Sequence, residues 1–86
     1  MDLWWLSFAT EHEFKGAIIA PGERFIDAYL WATFNELNPG GQVKGTRIGA
    51  VDDLDCLSRY VGRLLDRPQC DDVDAILARE FSWGEA

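Results

Sequence analysis

The densest group of residues able to do chemistry is Asn38-Pro39-Gly40-Gly41-Gln42-Val43-Lys44, with Arg47 just beyond it. Consecutive backbone N–H groups from Gly40 to Val43 can form a concavity that holds an anion, and Lys44 and Arg47 would add positive charge. The same residues also read as a helix stop followed by a tight turn into a strand, with glycines present for backbone angles alone. That second reading is the simpler one. The segment is no phosphate-binding P-loop, because the G-x-x-x-x-G-K-[ST] pattern is missing and helices attract phosphate at their N-termini. On a regular strand Lys44 and Arg47 fall on opposite faces, and Arg24, at the start of the preceding helical segment, could join one of them.

Tryptophan is abundant, four in 86 residues. Trp4, Trp5 or Trp31 could stack on a base, a sugar or a partner side chain, whereas the plain reading is core area for a small domain. Alternation sends Trp4 and Trp5 to opposite faces, so at least one is expected at the surface. Trp31 lies at the margin of a helical stripe, one turn from Asp27 and from Asn35. His12 sits between Glu11 and Glu13 with no nucleophile or orienting group nearby, so it reads as a solvated turn residue. Asp52, Asp53 and Asp55, like Asp71, Asp72 and Asp74, lack the alternating spacing and glycine of a calcium loop and stand where helices need caps. An acidic face can still dock a basic protein or mimic nucleic-acid phosphates. No nucleophile–base pair, metal set or cofactor motif is visible, so the chain reads as a binding protein without catalytic residues, metal or cofactor. The ligand-binding candidates are Trp4, Arg24, Trp31, Gly40, Gly41, Lys44 and Arg47. The alternative, a protein-interaction surface, rests on Asp52, Asp53 and Asp55.

Composition sets the frame for these residues. Hydrophobic content of 48% with 27% charged residues is that of a folded protein. A chain of this length buries about 60–65% of its unfolded surface, enough for one marginally stable domain. The net charge of −7 and pI near 4.4 argue against direct nucleic-acid binding and favour a basic protein partner. Met1-Asp2-Leu3 lacks the basic start of a secretory signal, and no apolar run reaches the ~18 residues of a membrane span. The cytoplasm is therefore the expected compartment, with Cys56 and Cys70 reduced and acting as small buried hydrophobes.

The elements that must position the candidates follow from periodicity. Leu3–Ala9 reads as a strand with Leu3, Trp5 and Ser7 on one face and Trp4, Leu6 and Phe8 on the other. Thr10–Glu13 is a turn, and Phe14–Ala20 completes a hairpin, with Gly16 marking a bulge or a close backbone approach. Pro21–Gly41 holds one helix whose apolar stripe is Ile26, Tyr29, Leu30, Thr33, Phe34 and Leu37, widened by Phe25, Ala28 and Ala32. Asn38-Pro39 stops it. Gln42–Ala50 reads as an edge strand. Asp52-Asp53 caps a second helix over Leu54–Leu65, with Leu54, Leu57, Val61, Leu64 and Leu65 as its stripe. Pro68 breaks it, and Asp71-Asp72 starts a third helix to Phe81, with Val73, Ile76, Leu77 and Phe81 inward. Residues 82–86 read as a frayed tail, with Trp83 a possible anchor. The expected class is α+β: one domain over 1–86, a small three-stranded sheet in ββαβαα order with helices packed on one face.

Trp5-Leu6-Ser7-Phe8-Ala9, Gly16-Ala17-Ile18-Ile19, and Asn38-Pro39-Gly40-Gly41-Gln42-Val43-Lys44-Gly45 together resemble a group of small uncharacterised proteins of bacteria and their phages. That group shares W-L-S-F-A, G-x-A-I-[IV] and N-P-G-G-x-V-x-G segments. Tyr60-Val61-Gly62-Arg63-Leu64-Leu65 is similar to its N-R-L-L segment, with Gly62 in place of Asn. The similarity covers Trp4 to Leu65. Thr33 and Glu36 depart from it, standing where the group often has Trp and Gly. The group carries no established activity. The resemblance implies a phage-encoded protein acting in the host cytosol.

Two functions fit these readings. One is a phage-type anti-defence protein that sequesters a small nucleotide-like signalling ligand, with tryptophan for stacking and the glycine turn and cations for phosphate. Such sites often form between protomers, so a homo-oligomer is expected. The other is an acidic inhibitor or adaptor that acts on a host defence protein. Neither needs a membrane.

Overall fold

The computed structural model describes residues 1–81, and of residues 80 and 81 the backbone only. The frayed tail and the Trp83 anchor lie outside the described residues, as does the inward placement of the Phe81 side chain.

Alternation in the first strand organises the fold. Strand β1 (Asp2–Ala9) pairs antiparallel with β2 (Phe14–Gly22) on one side and with β3 (Gln42–Ala50) on the other. A two-residue strand, β4 (Leu64–Leu65), pairs antiparallel with Ala17 and Ile18. The sheet therefore has four strands in the order β3-β1-β2-β4, not three. The class is α+β. The hairpin register slips at Phe8/Ala9, where Phe8 faces Gly16 and Ala9 faces Phe14. That is the bulge read at Gly16.

Helices cover both faces, not one. Leu6, Phe8, Ile18 and Ala20 pack under helix α1 (Phe25–Phe34) through Ala28 and Ala32. Leu3, Ala17 and Ile19 pack on the opposite face with Leu54, Leu57 and helix α2 (Arg67–Phe81). The reason is in the strands themselves. Ala17 to Ala20 are all fully buried, so β2 is apolar on both faces and one helical layer cannot satisfy it.

The stripe on α1 is placed differently from the spacing-based expectation. Ala28 and Ala32 are its buried residues, with Phe25, Tyr29 and Trp31 packed beside them, while Ile26, Leu30 and Phe34 are exposed. Small residues win because they let the helix backbone approach β2. The helix also stops earlier, at Phe34. Glu36 takes φ +60°, its N–H donates to the Thr33 carbonyl (3.1 Å), and Leu37 N–H donates to the Ala32 carbonyl (3.0 Å). This is a Schellman cap with glutamate in the left-handed position that glycine usually fills. Relief of that strain predicts that Glu36→Gly stabilises the chain by about 1 kcal/mol. In thermal unfolding this should appear as a rise of about 4–8 °C in Tm.

The expected helix over Leu54–Leu65 is absent. Its place is taken by two single 3-10 turns, Val51–Asp53 and Asp55–Leu57, then an irregular run into β4. The outer edge of β2 is the competing demand. Buried backbone groups there need partners. Gly62 N–H donates to the Ile19 carbonyl (3.0 Å), and Leu64–Leu65 supply the rest of the edge. Gly62 has φ +76°, through which no helix continues. Pro68 does not break a helix. It sits in the first turn of α2, where its missing N–H costs nothing. Asp66 Oδ1 accepts from Gln69 N–H (3.0 Å), and Gln69 Oε1 accepts from Asp66 N–H (3.1 Å). This reciprocal capping box starts the helix before Asp71-Asp72. Val73 and Leu77 are buried and Ile76 packs beside them, as their spacing predicts.

The cysteines separate. Cys70 is buried, and burial, followed by the nearby Asp74 charge, pushes its thiol up to about 11. Cys56 is exposed, which corrects its reading as a buried hydrophobe. Thiol labelling of the native chain near neutral pH should modify Cys56 and leave Cys70 protected until unfolding.

Candidate functional site

Ser7 and Lys44 are cross-strand partners of β1 and β3, as are Ala9 and Gln42 and, further along, Trp5 and Thr46. Strand alternation puts these pairs on the sheet face opposite α1. The second apolar layer covers that face over β2, β4 and the Leu3 end. Near the start of β3 the cover stops: Gln42, Lys44 and Thr46 are exposed and Ser7 is half-buried. There Ser7, Ala9, Thr10, Glu11, Gln42, Val43 and Lys44 line a cavity of about 480 Å³. Trp5, half-buried at the edge of the apolar layer, lies one cross-strand pair further along the same face.

The rim of this cavity is fixed by its own turn. Thr10 N–H donates to the Glu13 carbonyl (2.8 Å), and Thr10 Oγ1 accepts from Glu13 N–H (3.2 Å). Glu13 also pairs with Lys15 at 2.6 Å, which holds its carboxyl below the usual range through the hydrogen bond. The Thr10 hydroxyl is thus occupied. Among the described residues Lys44 has no ion pair, and the Ser7, Glu11 and Gln42 side chains have no hydrogen bond. The cavity therefore offers an ammonium, a hydroxyl, a carboxamide and a carboxylate to a ligand.

The other basic candidates are already satisfied. Arg47 makes a two-pronged contact to Asp2, at 2.7 and 3.1 Å, and the hydrogen bonds hold the Asp2 carboxyl below its ordinary value. Arg24 bonds Asp27 at 3.3 and 3.4 Å, and Asp27 also accepts from Arg24 N–H (3.2 Å) at the start of α1. Both pairs are solvated. Trp4 lies on the α1 side, where its indole N–H donates to the Gly22 carbonyl (3.0 Å) and its ring meets Phe25 edge-on at 6.4 Å. Trp31 is half-buried in the same layer, against Gly62.

The Asn38–Gly41 turn is a strap between α1 and the cavity. Asn38 Nδ2 donates to the Tyr29 hydroxyl and to Thr33 Oγ1, both at 3.2 Å, and Asn38 Oδ1 accepts from Gly40 N–H (2.8 Å). Gly41, at φ +87°, lies against the Ala9 carbonyl. Of the seven ligand candidates, Lys44 lines the cavity and Gly41 abuts its Ala9 wall. Trp4, Arg24, Trp31 and Arg47 do not meet there. Ser7, Thr10, Glu11 and Gln42 carry no residue-type signal of their own. The β1–β3 register brings Ser7 to Lys44, Gln42 shares the face of Lys44 two residues earlier on β3, and the turn after β1 adds Thr10 and Glu11.

Asp52, Asp53 and Asp55 are exposed on the two 3-10 turns and make no ion pair among the described residues. Among the described residues no group of three or more His, Cys, Asp or Glu side chains could hold a metal ion. No described helix is long and apolar enough to cross a membrane. Comparison with family models, curated proteins and solved structures gives no match.

Proposed function

We propose that the chain is a binding protein whose ligand site is the β1–β3 corner, and that its ligand is a small anionic, nucleotide-like molecule. The observation that carries this reading is Lys44, a cation with no ion pair among the described residues, set beside Ser7 in a cavity of about 480 Å³. Ligand cavities commonly measure about 300–1,000 Å³. Lys44 meets phosphate, Ser7 and Gln42 supply oriented hydrogen bonds, and Trp5 offers an aromatic surface at the border. Arg24 and Arg47, each bound to a carboxylate, are not part of this site. On the resemblance to phage proteins, the ligand is a signalling nucleotide of a host defence system, withdrawn by binding in the host cytosol.

Thermal unfolding against mono-, di- and cyclic nucleotides, with inorganic phosphate as reference, tests the reading. A ligand at about 100 times its Kd adds about 2.7 kcal/mol, a rise of about 10 °C or more for a domain this small. Lys44→Ala should abolish the shift and leave the unliganded Tm unchanged. If no nucleotide raises the Tm, the reading fails.

The second reading, an acidic inhibitor or adaptor on a host defence protein, is favoured by Asp52, Asp53 and Asp55, exposed and without an ion pair among the described residues. It predicts a host protein captured at low salt and lost when those three are reversed to lysine.

A further inference from the structure

The Asn38–Gly41 turn is not needed to end α1. That end closes earlier, where Glu36 N–H donates to the Thr33 carbonyl and Leu37 N–H to the Ala32 carbonyl. Nor is the N–H of Gly40 open to an anion, because Asn38 Oδ1 accepts it at 2.8 Å. Both N–H groups and the oxygen of the Asn38 amide are engaged within the chain. The N–H groups go to the Tyr29 hydroxyl and to Thr33 Oγ1, both at 3.2 Å. Thr33 Oγ1 is free to accept, since its own hydroxyl hydrogen goes to the Tyr29 carbonyl at 3.0 Å. One side chain thus ties the strap to the body of α1 after the helix has already been capped.

We propose that Asn38 is the positioning residue of the β1–β3 corner: it seats the strap so that Gln42 and Lys44 enter β3 in register with Ala9 and Ser7. β3 begins at Gln42, directly after the strap, and Gly41 lies against the Ala9 carbonyl. Ala9, Gln42, Val43 and Lys44 all line the cavity, so the path of the strap sets the shape of that wall. The anchoring end is firm. Tyr29 is half-buried and packs, as Val43 does, against the layer beneath α1. The strap has little else to hold it. Gly40 has φ +87° with nothing within 4 Å of a Cβ there, and two successive glycines leave the backbone many paths. Groups that lock a binding residue in place raise affinity without touching the ligand. That Lys44 then holds a nucleotide-like anion rests on the function proposed above, whereas the seating of Gln42 and Lys44 does not.

Asn38→Ala removes all three bonds, and Tyr29→Phe removes one of them while keeping the ring. Without ligand, nitrogen–proton NMR of the full chain should show both variants shifting the amide signals of Ala9, Gln42 and Lys44 as well as those of the strap. The Gly40 amide of Asn38→Ala should exchange with solvent about tenfold faster. With the nucleotide panel, measured where circular dichroism shows each variant folded, the Kd should rise about tenfold for Asn38→Ala and about threefold for Tyr29→Phe. A role limited to stability would lower the Tm of Asn38→Ala and leave its Kd alone. Glu36→Gly is the control: it alters the helix cap in the same connection and raises the Tm, and it should leave both the Lys44 signal and the Kd as they are. The two ideas fail separately. A wild-type chain that binds no nucleotide removes the ligand reading, and the Ala9, Gln42 and Lys44 signals alone then decide the role of Asn38. Signals that move in the strap only overturn the proposal, as does an Asn38→Ala chain that binds a nucleotide as tightly as the wild type.

Discussion

Gly41→Ala is expected to remove about 2–4 kcal/mol of stability, while Gly40→Ala removes about 1 kcal/mol. Both glycines have φ +87°, so both substitutions carry the backbone cost of a left-handed alanine. They differ in what the new methyl group meets. At Gly40 nothing lies within 4 Å. At Gly41 a Cβ would stand 2.8 Å from the Ala9 carbonyl oxygen, a backbone atom in the central strand that cannot swing aside. Against a total of about 4–13 kcal/mol for a chain of this length, the Gly41 loss is a large fraction. Urea unfolding of the two variants measures the difference. The expected order also separates two views of the Asn38–Gly41 turn. If the glycines serve only to free the backbone, the two costs match. If the turn is a strap seated on β1, Gly41 dominates. Displacing Ala9 also moves the cavity wall, so Gly41→Ala should weaken any ligand that Lys44 holds, and Gly40→Ala should not.

The residues that were legible in the sequence are those whose neighbours are set by local geometry. Period-two alternation placed Leu3 and Trp5 against one layer and Trp4, Leu6 and Phe8 against the other, and the structure follows it. The hairpin, its bulge and the edge strand Gln42–Ala50 come from turn residues and strand composition, which are equally local. Leu54 to Leu65 was not legible, because its leucine spacing satisfies a helix while the open edge of β2, about 45 residues earlier, demands a strand. Nothing within the segment announces that demand except Gly62. The start of α2 is a different case. Asp66 and Gln69 spell a capping box, but Pro68 between them draws the eye as a break.

The site divides the same way. Lys44 stands out as a rare cation beside glycines. Ser7 has no distinguishing type and becomes a site residue only through its pairing with Lys44. Arg47 reads as an anion ligand by type, and in the fold it pairs with Asp2, distant in sequence. Residue type shows what a side chain can bind, and topology decides whether the protein has already bound it.

The reversal of α1 gives the second large effect. Gly22→Val is expected to cost about 3–4 kcal/mol and to leave the chain barely folded. A Cβ on Gly22 would stand 2.6 Å from the Ala28 backbone nitrogen and 3.2 Å from its methyl group. The whole helix must therefore rise off β2, and the layer of Leu6, Phe8, Ile18 and Ala20 beneath it opens. Ala28→Leu should act through the same contact with a similar cost. Leu30→Ser should change stability by no more than about 0.5 kcal/mol, because it alters a surface residue. The stripe read from spacing alone sets Leu30 at its centre and Ala28 at its widened margin, which requires the opposite order, with Leu30 the costlier position. Denaturant midpoints of the three variants decide between them. The expected order also explains how a chain this short can leave three large hydrophobics on its surface. Its α1 contact is made through backbone proximity at Gly22 and Ala28, so Ile26, Leu30 and Phe34 are not needed beneath the helix.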